Sequence, residues 1–183
     1  DIGGSIRIPA HWSGVCGHKP SYGIISARGQ IPGMPGTLSQ ADIAVSGPMA
    51  RDIDDLEMAL DILAGPDSWN EKAFTINLPA ARHDNIKDFR VAVWIDEESA
   101  PISEPYRQLL LGAASALESA GAKVDYDARP AFTFTKAVDT FWKLLSAAEA
   151  ATWSLSKLEE IASQGAEPQG EFGIWHATLR HRE

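Results

Sequence analysis

The chain has 183 residues, enough for one domain with a sizeable core, and its 44% hydrophobic and 22% charged residues are typical of a folded globular protein. Its 25 acidic and 16 basic residues give a net charge of −9, which argues against a general nucleic-acid-binding protein because such proteins need a basic surface. The single cysteine, Cys16, excludes an intrachain disulfide, and with no signal peptide and no apolar run near the roughly 20 residues of a membrane span we expect a soluble, cytoplasmic protein.

The first 50 residues are rich in Gly, Pro and Ser and show little periodicity. The five glycines and two prolines within residues 3–23 argue against a helix there. One short strand is predicted near residues 43–46. A loop this long inside a compact domain is usually functional.

The first clear helix is predicted to begin after Asp52, a good N-cap residue, and to end at Gly65 and Pro66. Its apolar positions are Ile53, Leu56, Leu60 and Leu63. The acidic residues Asp52, Asp54 and Asp55 resemble a metal-binding cluster, but the positive end of a helix dipole explains them without a metal.

A strand–helix–strand pattern follows. Strands are predicted over residues 90–96 and 123–128, with a helix between them from Ser103 to about Ala120 and Gly121 just beyond its end. The apolar positions of this helix are Leu109, Leu110, Ala113 and Leu117. Such a unit predicts two parallel strands joined by a right-handed crossover.

A long helical stretch, with one interruption, is predicted from residue 132 to about residue 163. Its apolar face would hold Trp142, Leu145, Leu155 and Leu158. The sequence starts inside a glycine-rich turn and stops without a polar tail, so we expect a domain truncated at both ends.

The opening turn, Ile2-Gly3-Gly4-Ser5, has some features of a nucleophile site. A serine hydroxyl attacks a carbonyl only when a base accepts its proton and donors face the developing oxyanion. Glycines allow successive N–H groups to converge, but a Gly-Gly-Ser sequence is usually only a turn.

The longer strings "DIGGSIRIPAHWSGVCGHKPSYGIIS" and "VSGPMARDIDDLEMALDILAGPD" closely resemble the amidase signature family. The resemblance implies that Ser5 is the nucleophile and that Ile2, Gly3, Gly4 and Ser5 supply the backbone donors of the oxyanion hole. It implies that Asp1 and Arg7 hold this loop in place. The implied fold is α/β, with a mixed sheet packed between helices. We expect one partial amidase domain, with residues 1–50 as the nucleophile loop region and residues 51–183 as helices with the strand–helix–strand unit.

The family's base is a lysine acting through a second serine on a cis peptide, and both precede the nucleophile motif. Lys19, His11 and His18 are alternative bases within this sequence, but their irregular surroundings favour structural roles. His83, His176 and His181 lie far from the turn, with no motif around them. Trp142 could line an acyl pocket, although an aromatic residue on a helix face is more often part of a core.

The resemblance implies hydrolysis of a small-molecule carboxamide through a serine acyl-enzyme, without a metal, an organic cofactor or a direct nucleic-acid or membrane partner. We expect the isolated chain to be inactive and to self-associate through uncovered apolar faces. Two alternatives remain open: a non-catalytic amidase-like scaffold, and the amidase subunit of a tRNA-dependent amidotransferase. The sequence leaves the substrate undetermined.

Overall fold

The computed structural model describes residues 1–30, 42–150 and 153–163. Contacts group the chain into two compact units, one formed by Asp1–Asn77 with Phe141–Glu183 and the other by Leu78–Thr140. Helices and short strands occur together, which confirms the predicted α/β class. The strands that the structure describes form two small two-stranded sheets.

The first unit begins with a short helix, α1, over Arg7–Ser13, and the prediction that residues 3–23 contain no helix was therefore wrong. The glycines lie outside α1: Gly3 and Gly4 precede it, and Gly14 ends it in the left-handed conformation at φ +66°. Pro9 is in the first turn, where its missing N–H breaks no helical hydrogen bond. The glycine and proline content of residues 3–23 as a whole gave no indication of this helix, because α1 is only seven residues long.

Strands β1 (Cys16–Gly17) and β2 (Met49–Ala50) form an antiparallel pair in which Cys16 lies opposite Ala50. The strand predicted at residues 43–46 was wrong, because the strand comes later in the chain. Within that segment Val45 exchanges two backbone hydrogen bonds with Asp1, a single pair that does not extend into a ladder. Strand pairing begins at Met49, which lies opposite Gly17 in the antiparallel pair.

Helix α2 spans Ile53–Leu63 and confirms the helix predicted after Asp52. The Asp52 carboxylate accepts a hydrogen bond from the Asp55 N–H at 2.8 Å, which is the N-cap geometry expected from the sequence. Of the predicted apolar positions, Leu56 is buried and Leu60 is half-buried, whereas Ile53 and Leu63 are exposed.

In the second unit, β3 (Arg90–Ala92) and β4 (Lys123–Asp125) are parallel and joined through helix α3 (Glu104–Ser119), as the pattern predicts. Both strands are shorter than predicted. The Asp125 carboxylate accepts hydrogen bonds from the N–H groups of Asp127 and Ala128, each at 2.9 Å, and this turn ends β4. Without a partner beyond Asp125, β3 also stops.

The buried face of α3 differs from the predicted one. Ala114 is buried and Arg107, Leu110 and Leu111 are half-buried, whereas Leu109 is 71% exposed. Ala113 and Leu117, which were also assigned to the apolar face, are exposed. Because leucines and alanines follow one another in α3, more than one of its faces could be the apolar one. The contact with the neighbouring β4 decides which of these faces is buried.

The long helical stretch consists of α4 (Phe134–Ala150) and α5 (Leu155–Ser163), which confirms the predicted interruption. The Ser154 hydroxyl accepts a hydrogen bond from the Lys157 N–H at 3.3 Å and so caps the start of α5. Leu145 and Leu158 are buried as predicted, but Leu155 is exposed. Among the described residues, no helix has the length and apolar character needed to cross a membrane.

Candidate active site

The Asp1 carboxylate organises the turn before Ser5. It accepts hydrogen bonds from the N–H groups of Gly4 (3.0 Å), Ile6 (3.1 Å) and Arg7 (3.3 Å). It also accepts two from the Arg7 guanidinium, from Nε at 3.2 Å and Nη2 at 3.0 Å. The Asp1 side chain is 1% exposed. Because Ile6 and Arg7 open α1, this carboxylate caps the helix from five residues upstream.

The turn is anchored to the 45–47 segment by backbone contacts. The Asp1 amino group donates to the Val45 carbonyl, and the Val45 N–H donates to the Asp1 carbonyl at 3.0 Å. Two residues on, a Cβ at Gly47 would lie 2.1 Å from the His18 carbonyl oxygen and 2.9 Å from Ile6 Cδ1. The segment therefore packs directly against the base of the turn, and only glycine fits there.

Ser5 is exposed, whereas its neighbours Gly4 and Ile6 are buried. Gly4 has φ +123°, a conformation that an L residue rarely adopts, and its N–H is already donated to Asp1. In the part of the chain that the structure describes, the N–H groups of Ile2, Gly3 and Ser5 have no protein acceptor. The turn thus combines an exposed hydroxyl with three available backbone donors.

No described residue accepts the proton of Ser5, since its hydroxyl has no hydrogen-bond partner within residues 1–30, 42–150 and 153–163. Lys19 donates its Nζ proton to the Pro20 carbonyl at 3.1 Å. The His18 N–H donates to the Pro48 carbonyl, and the His11 ring packs edge-on against Trp12. None of these three candidate bases forms a hydrogen bond with the Ser5 hydroxyl.

The remaining sequence candidates are His83, His176, His181 and Trp142. His83 packs edge-on against Phe89 in the second unit, and His176 and His181 lie outside the described residues. Trp142 is 38% exposed on α4, with its ring centroid 5.1 Å from that of Phe141. Its role in a substrate pocket stays a prediction.

A surface depression of about 580 Å³ lies beside α1 and α2. Its lining residues are Pro9, Ser13, Val15, Met49, Ala50, Arg51, Asp55 and Ala59. Ser5 is not among them, so this depression is not a substrate pocket around the proposed nucleophile. Within the described residues, no three His, Cys, Asp or Glu side chains gather as metal ligands would.

Sequence reasoning missed a polar cluster around Asp67. The Asp67 carboxylate binds Ser26, Arg28 and Asn70, and the Arg28 guanidinium lies 4.5 Å from the centroid of the Trp69 ring. The only sequence signal was a run of polar residues following Gly65-Pro66, which is typical of any loop.

Comparison with known proteins shows which family the chain resembles. The sequence model of the Amidase family matches residues 1–171. A glutamyl-tRNA(Gln) amidotransferase subunit from Sulfolobus acidocaldarius is 34% identical over 134 residues, which are 69% of this chain and 26% of that protein. The protein of the same name from Lysinibacillus sphaericus is 32% identical over 164 residues, 88% of this chain and 32% of that protein.

A second group of relatives carries a different name. Fatty-acid amide hydrolase 2-A of Danio rerio is 45% identical over 75 residues, which are 41% of this chain and 14% of that protein. The chain thus spans about a third or less of the length of the relatives that it matches.

Proposed function

The chain belongs to the amidase family, and from that membership we propose that Ser5 is the nucleophile of an enzyme that hydrolyses carboxamides. The observation that carries the proposal is the turn itself. Asp1 holds Gly4, Ile6 and Arg7 through their N–H groups, leaving the Ser5 hydroxyl exposed at the surface of the turn.

In the proposed reaction, Ser5 Oγ attacks the amide carbonyl carbon while a base takes the hydroxyl proton. The carbonyl oxygen becomes an oxyanion, which accepts hydrogen bonds from the N–H groups of Ile2, Gly3 and Ser5. The Gly4 N–H belongs to the same predicted set, but it is donated to Asp1 and would have to leave that carboxylate first. The tetrahedral intermediate then expels an amine or ammonia, which takes up the proton, and water hydrolyses the acyl-enzyme.

The base in this proposal is the family's lysine acting through the second serine, which the family places before the nucleophile motif. No described residue contacts the Ser5 hydroxyl in their place. We therefore expect a polypeptide of these 183 residues alone to show little or no amidase turnover. Turnover by the purified chain that Ser5→Ala abolishes would contradict the need for the lysine and the second serine.

The nucleophile assignment is tested in an enzyme that contains this segment together with the preceding family segment. Ser5→Ala should lower kcat by several orders of magnitude and change KM little, because Ser5 supplies the covalent step while the pocket walls supply affinity. Ser13→Ala is the matched control, since Ser13 is also exposed but lies at the far end of α1. A serine-directed covalent inhibitor should label the Ser13→Ala enzyme and leave the Ser5→Ala enzyme unlabelled.

If the Ser5→Ala enzyme were still labelled at the active site, the assignment would fail. If the unchanged enzyme were neither labelled nor active on any carboxamide, the alternative of a non-catalytic scaffold would replace the proposal.

A second candidate is the amidase subunit of a tRNA-dependent amidotransferase. It is favoured by coverage, because the amidotransferase relatives align over 69% and 88% of this chain, against 41% and 60% for fatty-acid amide hydrolases 2-A and 2-B of Danio rerio. Isolation of the tagged full-length protein from its own cells distinguishes the two. An amidotransferase subunit should co-purify with partner subunits, whereas an independent amide hydrolase should be active without them.

A further inference from the structure

Asp67 joins two segments that are distant in sequence. Its Oδ2 accepts hydrogen bonds from the Arg28 Nε at 3.1 Å and the Ser26 hydroxyl at 3.3 Å. Its Oδ1 accepts from the N–H groups of Trp69 and Asn70, at 2.9 and 3.2 Å. The Asp67 side chain is 15% exposed, so these contacts form a largely shielded cluster beyond the end of α2.

Charge and backbone pairing both strengthen the cluster. Partial burial raises the pKa of Asp67, but the hydrogen bonds from Arg28, the Trp69 N–H and Asn70 and the Arg28 charge outweigh it and lower the pKa to about 2. Asp67 is therefore ionised throughout the physiological range. Next to it, the Gly65 N–H donates to the Ile24 carbonyl at 2.9 Å, so the two segments are also tied through the backbone.

The segment that Asp67 holds, residues 26–30, is linked to the nucleophile turn by a hydrogen bond between Gln30 and Ser46. Residues 26–30 form a compact turn, in which the Arg28 N–H donates to Ser26 Oγ and the Gln30 N–H to the Ala27 carbonyl. At the end of this turn, Gln30 Oε1 accepts a hydrogen bond from the Ser46 hydroxyl at 2.9 Å. Ser46 directly follows Val45, the residue that pairs with Asp1.

We infer that Asp67 is a positioning residue for the nucleophile turn: it fixes residues 26–30, whose Gln30 holds Ser46 and thereby keeps Val45 paired with Asp1. The inference rests on the proposed function only for the role of the turn. The inference itself concerns a chain of contacts, here called the relay, that leads from Asp67 to the Asp1 carboxylate, which shapes the backbone around Ser5. Amide hydrogen exchange measures the strength of these contacts and does not require an active enzyme.

The test is hydrogen–deuterium exchange of the 183-residue chain, read at single-residue resolution. Asp67→Asn keeps the shape of the side chain but removes its charge. It should raise the exchange rates of the Gly65, Val45 and Gly4 amides by about fivefold, the size expected for losing roughly one net hydrogen bond. Asp61→Asn is the matched control, because Asp61 is an exposed carboxylate on α2 for which no partner is recorded among the described residues.

A second variant tests the relay itself. Ser46→Ala should accelerate exchange at Val45 and Gly4 but leave Gly65 unchanged, because the contact is broken beyond the Asp67 cluster. The Lys123 and Val93 amides, which are bonded to Phe89 and Asp125 in the other unit, provide the internal reference.

Faster exchange at the Gly65 amide alone in Asp67→Asn would overturn the inference, because Asp67 would then stabilise only the contacts in its immediate surroundings. If Asp67→Asn accelerated every amide of its unit, Ser46→Ala would decide. Acceleration confined to Val45 and Gly4 would support the relay, and unchanged rates would overturn it. None of these outcomes depends on whether Ser5 is the nucleophile.

Discussion

Gly4 lies at φ +123° beside the proposed nucleophile, and a Cβ added there would lie 2.5 Å from Ile8 Cδ1. Gly4→Ala should therefore lower the free energy of unfolding by roughly 1–3 kcal/mol. Gly3→Ala is the control, because a Cβ at Gly3 meets nothing within 4 Å, and it should cost under about 0.5 kcal/mol. Urea denaturation of the chain measures both.

The Gly3→Ala and Gly4→Ala variants also show whether the backbone shape of the turn affects the reactivity of Ser5. In an active enzyme carrying this segment, the added Cβ of Gly4→Ala should turn the neighbouring N–H groups of Gly3 and Ser5 away from the oxyanion. Labelling by a serine-directed inhibitor should then slow by up to about 100- to 1,000-fold, the range for a lost oxyanion donor, without being abolished. A Gly4→Ala variant as stable and as reactive as Gly3→Ala would contradict the described turn geometry.

Asp1 and Arg7 form one ion pair, yet their substitutions should differ in cost. Asp1→Ala leaves the N–H groups of Gly4 and Ile6 without their acceptor in a part-buried turn, so the free energy of unfolding should fall by about 2–4 kcal/mol. Arg7→Ala should cost less than about 1 kcal/mol, because the Arg7 side chain is largely exposed. Thermal unfolding of the two variants checks the order, and equal losses would mean that the ion pair, not the backbone cap, supports the turn.

The depressed pKa of Asp67, about 2 against an ordinary 3.8, predicts a specific pH dependence. A carboxylate with a lowered folded-state pKa contributes stability that is complete above about pH 4 and is lost as the pH falls through about 2. The difference in unfolding free energy between the unchanged chain and Asp67→Asn should therefore be constant from neutral pH to about pH 5 and shrink below pH 4. A difference that grows on acidification would show that Asp67 is not held as an ion.

At the scale of elements, the 45–47 segment packs closely against other parts of the first unit. A Cβ at Gly47 would lie 2.1 Å from the backbone oxygen of His18 and 2.9 Å from Ile6 Cδ1, so Gly47→Ala must move the 45–47 segment away from these residues. We expect a loss above about 3 kcal/mol. Gly112→Ala in α3 is the opposite case: it meets nothing within 4 Å and should stabilise by roughly 0.5–1 kcal/mol. Urea denaturation compares them, and equal effects would refute the close approach.

At the scale of the whole molecule, large apolar side chains remain exposed on the first unit. Trp12 on α1 is 82% exposed and Ile62 on α2 is 76% exposed. We expect the chain to self-associate at tens of micromolar, because such side chains gain by leaving water. Sedimentation velocity should show species heavier than one chain, and a double substitution Trp12→Ser with Ile62→Glu should reduce them.

Glu71→Gln, a change at an exposed polar position in the same unit, is the control and should leave the association unchanged. A clean monomer at these concentrations would show that the exposed apolar residues do not act together.

The sequence by itself determined those elements whose signals lie within a few residues. Asp52 and the Gly65-Pro66 pair bound α2 correctly, and the strand–helix–strand pattern predicted a parallel β3–β4 pair. The helical pattern from residue 132 to about residue 163 predicted one interruption, which the structure places between α4 and α5. The strings around Ser5 indicated the amidase family, which the family match over residues 1–171 confirms. Caps, turns and hydrophobic periods act locally, so a linear reading recovers them.

Only the tertiary structure decided the features that join distant residues. Helix α1 depends on the Asp1 carboxylate, which lies outside the helix, and the Val45–Asp1 pair joins residues 44 positions apart. The contact between Ser26 and Asp67 spans 41 positions. The length of β3 and the buried stripe of α3 were likewise set by β4. No local pattern encodes these partners, because a carboxylate or a leucine stripe is compatible with many neighbours and the fold selects one of them.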